Sequence, residues 1–221
     1  MVQRDFPARQ LIVPQDEVLV AEPPRLSAVS WAGVYLLLAV AMVLIGGYEF
    51  GVGNQGIQVP LLERAIDPQL FAKDAMVTGT ADDYPTYFFR LLATPAEWIG
   101  VQRLYLLLHV LTAWAIVAAV VWLGGAMFRS RAVGLITASM LLAGHLHALG
   151  GDGLYSTGFT HTFAVFPLAL ASIALAYRRR YFMATLLAGL TFNLHALTAA
   201  YTVVFVAAMW VAERPQRAVV R

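Results

Sequence analysis

Glu49 is the first residue whose type and position suggest chemistry, because it follows directly after the first long apolar run of the chain. A carboxylate at the mouth of a helical bundle is half-shielded from water. Such a place favours the neutral form or tight pairing with a cation or a metal ion. Glu49 is therefore a candidate base or metal ligand. The same position also suits a carboxylate that only marks where a helix leaves a membrane.

Four of the five histidines lie near the ends of apolar runs: His145, His147, His161 and His195. Imidazole is a common metal ligand and a proton shuttle near neutral pH. No H-E-x-x-H or similar spacing occurs, so one shared site would have to be assembled across helices. The alternative is that these histidines are satisfied core groups. His109 lies in the middle of an apolar run, where we expect an interior hydrogen-bonding residue.

Three further acids are candidates for binding a polar ligand. Asp82 and Asp83 are adjacent, so one could cap a helix that starts near Tyr84 while the other binds a cation or a hydroxyl-rich ligand. Two solvated loop acids are an equally good interpretation. Asp152 lies in a glycine-rich turn, which allows close approach of a ligand. Thr160 follows this turn and is predicted to cap the next helix.

The composition is that of an integral membrane protein. Hydrophobic residues make up 60% of the chain and charged residues 13%, against about 45–50% and about 25% in soluble proteins. The acids are excluded from the long apolar runs, so the predicted partner of this surface is membrane lipid. A net charge of +2 gives no indication of a nucleic-acid partner, and the absence of cysteine excludes disulfides and thiolate chemistry.

Apolar runs of the length of a membrane span recur along the chain. A helix needs about 20 residues to cross the hydrocarbon core. The runs are Val29–Gly47, Ile99–Phe128, Ala132–Gly150, Phe159–Tyr177 and Tyr181–Val211.

The arginines predict how these runs cross the membrane. Arg129 and Arg131 follow the second run, Arg178–Arg180 follow the fourth, and three more arginines end the chain. The positive-inside rule puts all of them in the cytoplasm if the fifth run is two short helices with a polar break at Asn193–His195. We therefore predict an all-α polytopic transmembrane bundle of about six segments, the last two short. Residues 1–27 form a cytoplasmic tail, and residues 28–221 form the membrane domain with an extracytoplasmic loop at 48–100.

The long loop itself carries helix signals. Asp67-Pro68 is typical of an N-cap and first helical residue and predicts a short helix through about Met76. Thr94-Pro95-Ala96-Glu97 has capping-box spacing and predicts the start of the second membrane helix. The aromatic stretch that begins at Tyr84 predicts a helix lying at the membrane interface.

An acid after the first span, followed by a long helical outer loop, resembles the C-type membrane glycosyltransferase superfamily. The resemblance covers about residues 25–212, which is similar to the N-terminal half of such an enzyme. It is carried by Tyr48–Gln55, Pro60–Leu62, Asp67–Asp74, Gly158–Thr162 and Phe192–Ala196.

The resemblance implies transfer of a sugar from a polyprenyl-phosphate donor at the outer face of a bacterial cytoplasmic membrane. Glu49 would be the general base or metal-binding acid, and whether a divalent metal is needed stays open. Arg64 or Arg90 would meet the donor's phosphate. The remaining pocket residues would be Asp82, Asp83, Asp152, His161 and His195. The alternative is a non-catalytic membrane subunit, or a degenerate fragment, whose outer loop docks a protein partner.

Overall fold

The computed structural model describes residues 27–84, 86–143 and 155–219. Residues 1–26 of the predicted tail, the histidines His145 and His147, and the turn with Asp152 lie outside these ranges. The described part of the chain is helices joined by turns. The helices are α1 (Ala28–Gly46), α2 (Gln55–Ile66), α3 (Ala75–Asp83), α4 (Phe88–Ile99), α5 (Val101–Phe128), α6 (Arg131–Ala143), α7 (His161–Tyr177), α8 (Tyr181–Phe192) and α9 (Ala196–Val219).

Three described helices are long and apolar enough to cross a membrane: α1, α5 and the Ala196–Glu213 part of α9. The described apolar parts of α6, α7 and α8 are shorter. The all-α class and the membrane character predicted from the sequence are therefore confirmed. Of the six predicted segments, three have the length of a span by themselves.

Helix α5 is the centre of the bundle, and α1, α6 and α7 pack around it. Helix α6 approaches most closely at two facing glycines: a Cβ on Gly124 would lie 2.6 Å from Cα of Gly134, which leaves room only for hydrogen atoms. Helices α8 and α9 pack in turn on α7. The hydroxyl of Ser172 on α7 donates to the carbonyl of Ala184 on α8 at 2.7 Å and is fully buried.

Arg131, Arg178 and Arg179 lie at one end of the bundle, which we call the arginine end. The guanidinium of Arg131 lies 5.8 Å from the ring of Trp31 near the start of α1. Arg178 lies 5.4 Å from the ring of Trp122 near the end of α5. Arg179 pairs with Glu213 on α9 at 3.5 Å. These contacts bring together three of the positive charges that the sequence analysis assigned to one face of a membrane.

The segment between α1 and α5 covers the opposite end, which we call the covered end. It contains α2, α3 and α4, so the prediction of a helical loop is confirmed, but several of its predicted helix ends are wrong. Asp67 ends α2, and its carboxylate only closes a turn by accepting from the amide of Gln69 at 2.9 Å. Asp74 is the true N-cap, and it accepts from the amides of Met76 and Val77.

Two other predicted caps are also wrong. Asp82 and Asp83 end α3 and do not cap the next helix, which begins at Phe88 after Tyr87. The Thr94–Glu97 motif lies inside α4, and Pro95 is tolerated there within a short surface helix. Helix α5 begins after Gly100, whose φ of 86° provides the sharp turn between the two helices.

The predicted break in the last apolar run is confirmed, because α8 ends at Phe192 and α9 begins at Ala196. The loop before α4 donates hydrogen bonds to the backbone carbonyls between α8 and α9. The amide of Tyr87 donates to the carbonyl of Asn193 at 2.9 Å, and the hydroxyl of Thr86 donates to that of Leu194 at 2.7 Å. Protein groups thus replace the water that an interrupted helix would otherwise need.

Candidate functional site

The covered end holds a cavity of about 260 Å³, which we call the histidine cavity. It lies where the starts of α7 and α9 meet the loop before α4. Its lining is Tyr84, Thr86, His161, Leu194, His195, Ala196 and Leu197. The ring centroids of His161 and His195 are 4.5 Å apart, although the residues are far apart in the sequence.

His195 is the N-cap of α9, and its bonds fix its tautomer. Its Nδ1 accepts from the backbone amide of Thr198 at 3.1 Å, and also from the Thr198 hydroxyl at 2.8 Å. Because an amide can only donate, Nδ1 carries no proton, so neutral His195 holds its proton on Nε2. Nε2 then donates to the hydroxyl of Thr162 at 3.1 Å. Burial lowers the pKa of His195 below its ordinary value, which favours this neutral form.

His161 is the first residue of α7 and is 94% buried, with 6% of its surface exposed. Its Nε2 is hydrogen-bonded to the hydroxyl of Tyr84 at 2.8 Å. Its Nδ1 is buried and has no hydrogen-bond partner among the described residues. A buried imidazole nitrogen without a partner costs free energy.

Rings of α4 and of the preceding loop hold the imidazole of His161 in place. Tyr84 meets it edge to face at 5.7 Å between centroids, and Phe88 and Phe89 lie at 6.0 and 6.5 Å. Burial raises the pKa of the Tyr84 hydroxyl, which therefore stays a neutral donor or acceptor at physiological pH.

Two buried glutamines of α2 anchor the covering segment to the start of α7. The side-chain amide of Gln55 donates to the carbonyl of Phe159 at 2.8 Å, and its oxygen accepts from the amide of Gly51 at 2.6 Å. The oxygen of Gln58 accepts from the backbone amide of His161 at 3.1 Å. Thr160 caps α7 by accepting from the amide of Phe163, as predicted.

Glu49 lies at the covered end, with an exposed side chain, and is not among the residues that line the histidine cavity. Its backbone amide donates to the carbonyl of Thr157 at 2.9 Å. His161 is the fourth residue after Thr157, a chain length that spans at most about 14 Å. Glu49 and the two histidines therefore lie at the same end of the molecule, but Glu49 does not line the histidine cavity.

The structure places Asp83, Arg64 and Arg90 apart from the cavity. Asp83 and Arg90 are exposed, and Arg64 is half-buried with an Nη1 that has no hydrogen-bond partner among the described residues. None of the three lines the histidine cavity. Asp82 ends α3, and Asp152 lies outside the described residues.

His109 is an interior hydrogen-bonding residue, as predicted. It is fully buried in α5, and its Nε2 lies 3.3 Å from the hydroxyl of Tyr155. That hydroxyl also donates to the carbonyl of Gly47 at the end of α1. The ring of Phe163 stacks on His109 at 5.1 Å. These contacts join α1, α5 and α7 under the covering segment.

Sequence reasoning missed the roles of Tyr84, Thr86, Gln55 and Gln58. Tyr84 was treated as part of an aromatic stretch, Thr86 was not singled out, and the glutamines carried no pattern that marks burial. One signal was present: Gln55 and Gln58 lie three residues apart and therefore share a face of α2 with Leu62. All three residues of that face are nearly or fully buried.

Among the described residues, no group of three or more His, Asp or Glu side chains could hold a metal ion. No known family model matches the chain, and neither a curated protein nor a solved structure matches it significantly. The fold and the site define an all-helical membrane protein in which buried His161 and half-buried His195 lie side by side under a helical cover.

Proposed function

We propose that this protein is a membrane glycosyltransferase, or the N-terminal part of one, that takes a sugar from a polyprenyl-phosphate donor at its covered end. The observation that carries the proposal is the histidine cavity. A cavity with two imidazoles and two hydroxyls in a mainly apolar wall, at the end of the bundle away from the arginine end, suits a substrate whose head is polar and whose tail lies in lipid.

The size of the cavity supports a head group as its occupant. Its volume of about 260 Å³ lies just below the roughly 300–1,000 Å³ of sites that enclose a whole drug-sized ligand. Hydroxyls of Tyr84 and Thr86 and the imidazoles of His161 and His195 provide both donors and acceptors. A sugar phosphate, with many hydroxyl and phosphate oxygens, needs such a mixed set.

The proposed reaction breaks the bond between the sugar's anomeric carbon and the donor's phosphate oxygen. An acceptor hydroxyl forms the new bond to that carbon, its proton goes to a protein base, and the polyprenyl phosphate leaves with the bonding electron pair. Glu49 is the candidate base, because its exposed carboxylate at the end of α1 is open to an acceptor arriving from water. The neutral imidazole of His161, beside the cavity, is the competing candidate.

The test is reconstitution of the protein with a polyprenyl-phosphate sugar and measurement of sugar transfer. Glu49→Gln and His161→Phe are compared with Glu97→Gln, an exposed acid of α4 that serves as the matched control. Loss of a general base lowers the rate about 10²–10⁴-fold. A rate that falls only in Glu49→Gln identifies the carboxylate as the base, and a rate that falls only in His161→Phe identifies the imidazole. Absence of transfer by the unaltered protein contradicts the enzyme proposal.

We further propose that the chain lies in a bacterial cytoplasmic membrane with about six segments, its N-terminus and the arginine end in the cytoplasm, and the covered end outside. The lack of cysteine allows single-cysteine labelling without background. Thr94→Cys on α4 should react with a membrane-impermeant maleimide in intact cells, whereas Arg180→Cys should react only after lysis. The reverse pattern would invert the topology.

A second candidate function is a non-catalytic subunit that docks a protein partner through the cover. The observation that favours it is the apolar surface of α4, where Leu91 and Trp98 are 62% and 83% exposed. Pull-down of a discrete partner by the unaltered protein, lost in Trp98→Ser, together with no transfer in reconstitution, would replace the enzyme proposal with this one.

A further inference from the structure

We propose that the arginine end binds the headgroup of an anionic phospholipid, in a notch between the end of α5 and the turn that follows α7. We call this place the arginine notch. Its residues are Trp122, Gly125 and Arg129 of α5, and Arg178 and Arg180 of the turn. The notch lies at the other end of the bundle from the histidine cavity, so the inference does not depend on the proposed transferase activity.

The notch exists because α5 continues past the end of α7. Helix α7 ends just before Arg178, whose guanidinium lies 5.4 Å from the ring of Trp122. From Trp122, α5 runs on for six more residues to Phe128, which is about 9 Å of helix. Helix α6 packs on this stretch at Gly124, whereas a Cβ on Gly125 would meet nothing within 4 Å among the described residues. The last turns of α5 therefore have one open side.

This open side lies between two arginines. Gly125 and Arg129 follow Trp122 at three and seven residues along α5, so the three positions share one side of the helix. Arg178 stands over the Trp122 edge of this side, and Arg129 follows at the other edge, about 10 Å further along the axis. Two long arginine side chains at these edges can reach one phosphate group between them.

The arginines of the notch have no carboxylate partner in the described part of the chain. The ion pair found there joins Arg179 to Glu213. The other acids of the described residues belong to residues 48–100, which cover the opposite end. Arg129, Arg178 and Arg180 are exposed. Their positive charge is therefore complementary to an anion, and guanidinium groups bind phosphate oxygens with two parallel hydrogen bonds.

The structure holds Arg178 in position for such a contact. Its guanidinium lies over the face of Trp122, and this cation–π arrangement leaves the N–H groups at the edge of the guanidinium plane free to donate. The backbone amides of Arg178, Arg179 and Arg180 all donate to carbonyls of the last turn of α7. A phosphate therefore contacts the side chains of a turn that is already ordered.

Apolar side chains beside the notch favour a lipid over a free phosphate ion. Phe128, at the end of α5, is 60% exposed, and Phe182, two residues after Arg180, is 76% exposed. Both belong to apolar helices of a membrane protein, so acyl chains attached to a headgroup in the notch would meet apolar surface. A free phosphate ion would make no use of these rings, and we therefore commit to a phospholipid.

Binding of three ligands to the purified full chain in detergent, measured by native mass spectrometry, tests the inference. The ligands are phosphatidylglycerol, phosphatidylcholine with the same acyl chains, and glycerol phosphate, which has no acyl chains. We expect phosphatidylglycerol to bind at least about tenfold more tightly than phosphatidylcholine, because each arginine near an anionic lipid contributes about fivefold. Equal affinity for the two lipids would overturn the charge assignment. Glycerol phosphate bound as tightly as phosphatidylglycerol would overturn the choice of a lipid.

Charge variants test the location. Arg178→Gln and Arg129→Gln should each lower the affinity for phosphatidylglycerol about fivefold and leave that for phosphatidylcholine unchanged. Arg103→Gln is the matched control, because Arg103 is an exposed arginine at the opposite end of α5, and it should change neither affinity. Equal losses in all three variants would overturn the assignment to the arginine notch.

A shape variant separates a built site from diffuse attraction to a positive surface. Gly125→Leu fills the open side of α5 without changing any charge, and we expect it to lower the affinity for phosphatidylglycerol about tenfold. Gly189→Leu on α8 is the matched control, because a Cβ there also meets nothing within 4 Å among the described residues. Neither variant should lower the melting temperature, since leucine favours a helix more than glycine does. An undiminished preference for phosphatidylglycerol in Gly125→Leu would overturn the notch.

Discussion

Two adjacent glycines of α5 should respond in opposite directions to the same substitution. A Cβ on Gly124 would lie 2.6 Å from Cα and 2.8 Å from N of Gly134 on α6, and both contacts are backbone. A Cβ on Gly125 would meet nothing within 4 Å. Ordinary contacts between carbon atoms need about 3.5–4.0 Å, so Gly124→Ala forces α6 away by about 1 Å.

The magnitude follows from two opposing effects. Replacing a glycine by alanine inside a helix stabilises the helix by about 0.5–1 kcal/mol, and both variants gain this equally. Overpacking costs about 1–3 kcal/mol and applies to Gly124 alone. We therefore expect Gly125→Ala to be slightly more stable than the unaltered protein, and Gly124→Ala to be about 1–3 kcal/mol less stable than Gly125→Ala.

The assay is thermal or denaturant unfolding in one detergent, followed by circular dichroism on both variants side by side. Because helix propensity cancels between them, the difference reports the contact of α5 with α6. Equal stability of the two variants would refute the close helix crossing on which the position of α6 depends. Gly134→Ala provides a second approach, because its Cβ would lie 2.7 Å from the carbonyl oxygen of Val121.

Three other predictions concern hydrogen bonds. Since burial lowers the pKa of His195 in the folded protein, its contribution to stability is complete above pH ~6.5, the ordinary histidine value, and is lost as the pH falls below it. His195→Asn keeps an N-cap. In this variant the melting temperature should change less between pH 7.5 and pH 5 than in the unaltered protein. An equal change in both proteins would show that His195 does not cause the loss of stability at low pH. Ser172→Ala should lower the free energy of unfolding by about 1 kcal/mol through loss of the bond to Ala184, whereas Ser30→Ala, at the exposed start of α1, should change it less. Gln55→Leu leaves the carbonyl of Phe159 without its partner, so residues 48–100 should exchange amide hydrogens about 5- to 100-fold faster, as a cost of about 1–3 kcal/mol implies; unchanged exchange would contradict the anchoring role.

Local sequence determined much of the fold, because some signals depend only on neighbouring residues. Apolar runs without acids predicted membrane helices, and α1 and α5 begin and end within two residues of the predicted runs. The break at Asn193–His195 followed from charge bias, and the cap at Thr160 from its place before an apolar run. Each of these features can be predicted without knowing which residues pack against it.

Other helix ends in the cover were mispredicted because the same local signal fits two structures. Asp67-Pro68 suits a helix start and also the turn that follows a helix, and only the packing of α2 on α4 selects the turn. The Thr94–Glu97 motif has capping-box spacing, but the apolar face of α4 continues through it onto α5. Tertiary contacts outweigh a cap worth about 1 kcal/mol.

The sequence by itself determined that this is an all-helical membrane protein with arginine clusters between its apolar runs and most of its polar residues near helix ends. The tertiary structure alone decided which of those polar residues meet. His161 and His195 were both candidates by residue type, but their contact requires α7 and α9 to start side by side. Tyr84 reaches them because the loop before α4 bonds to the break after α8. Glu49, the most suggestive acid in the sequence, lies outside the cavity, since proximity in space is set by the packing of whole helices and not by residue spacing along the chain.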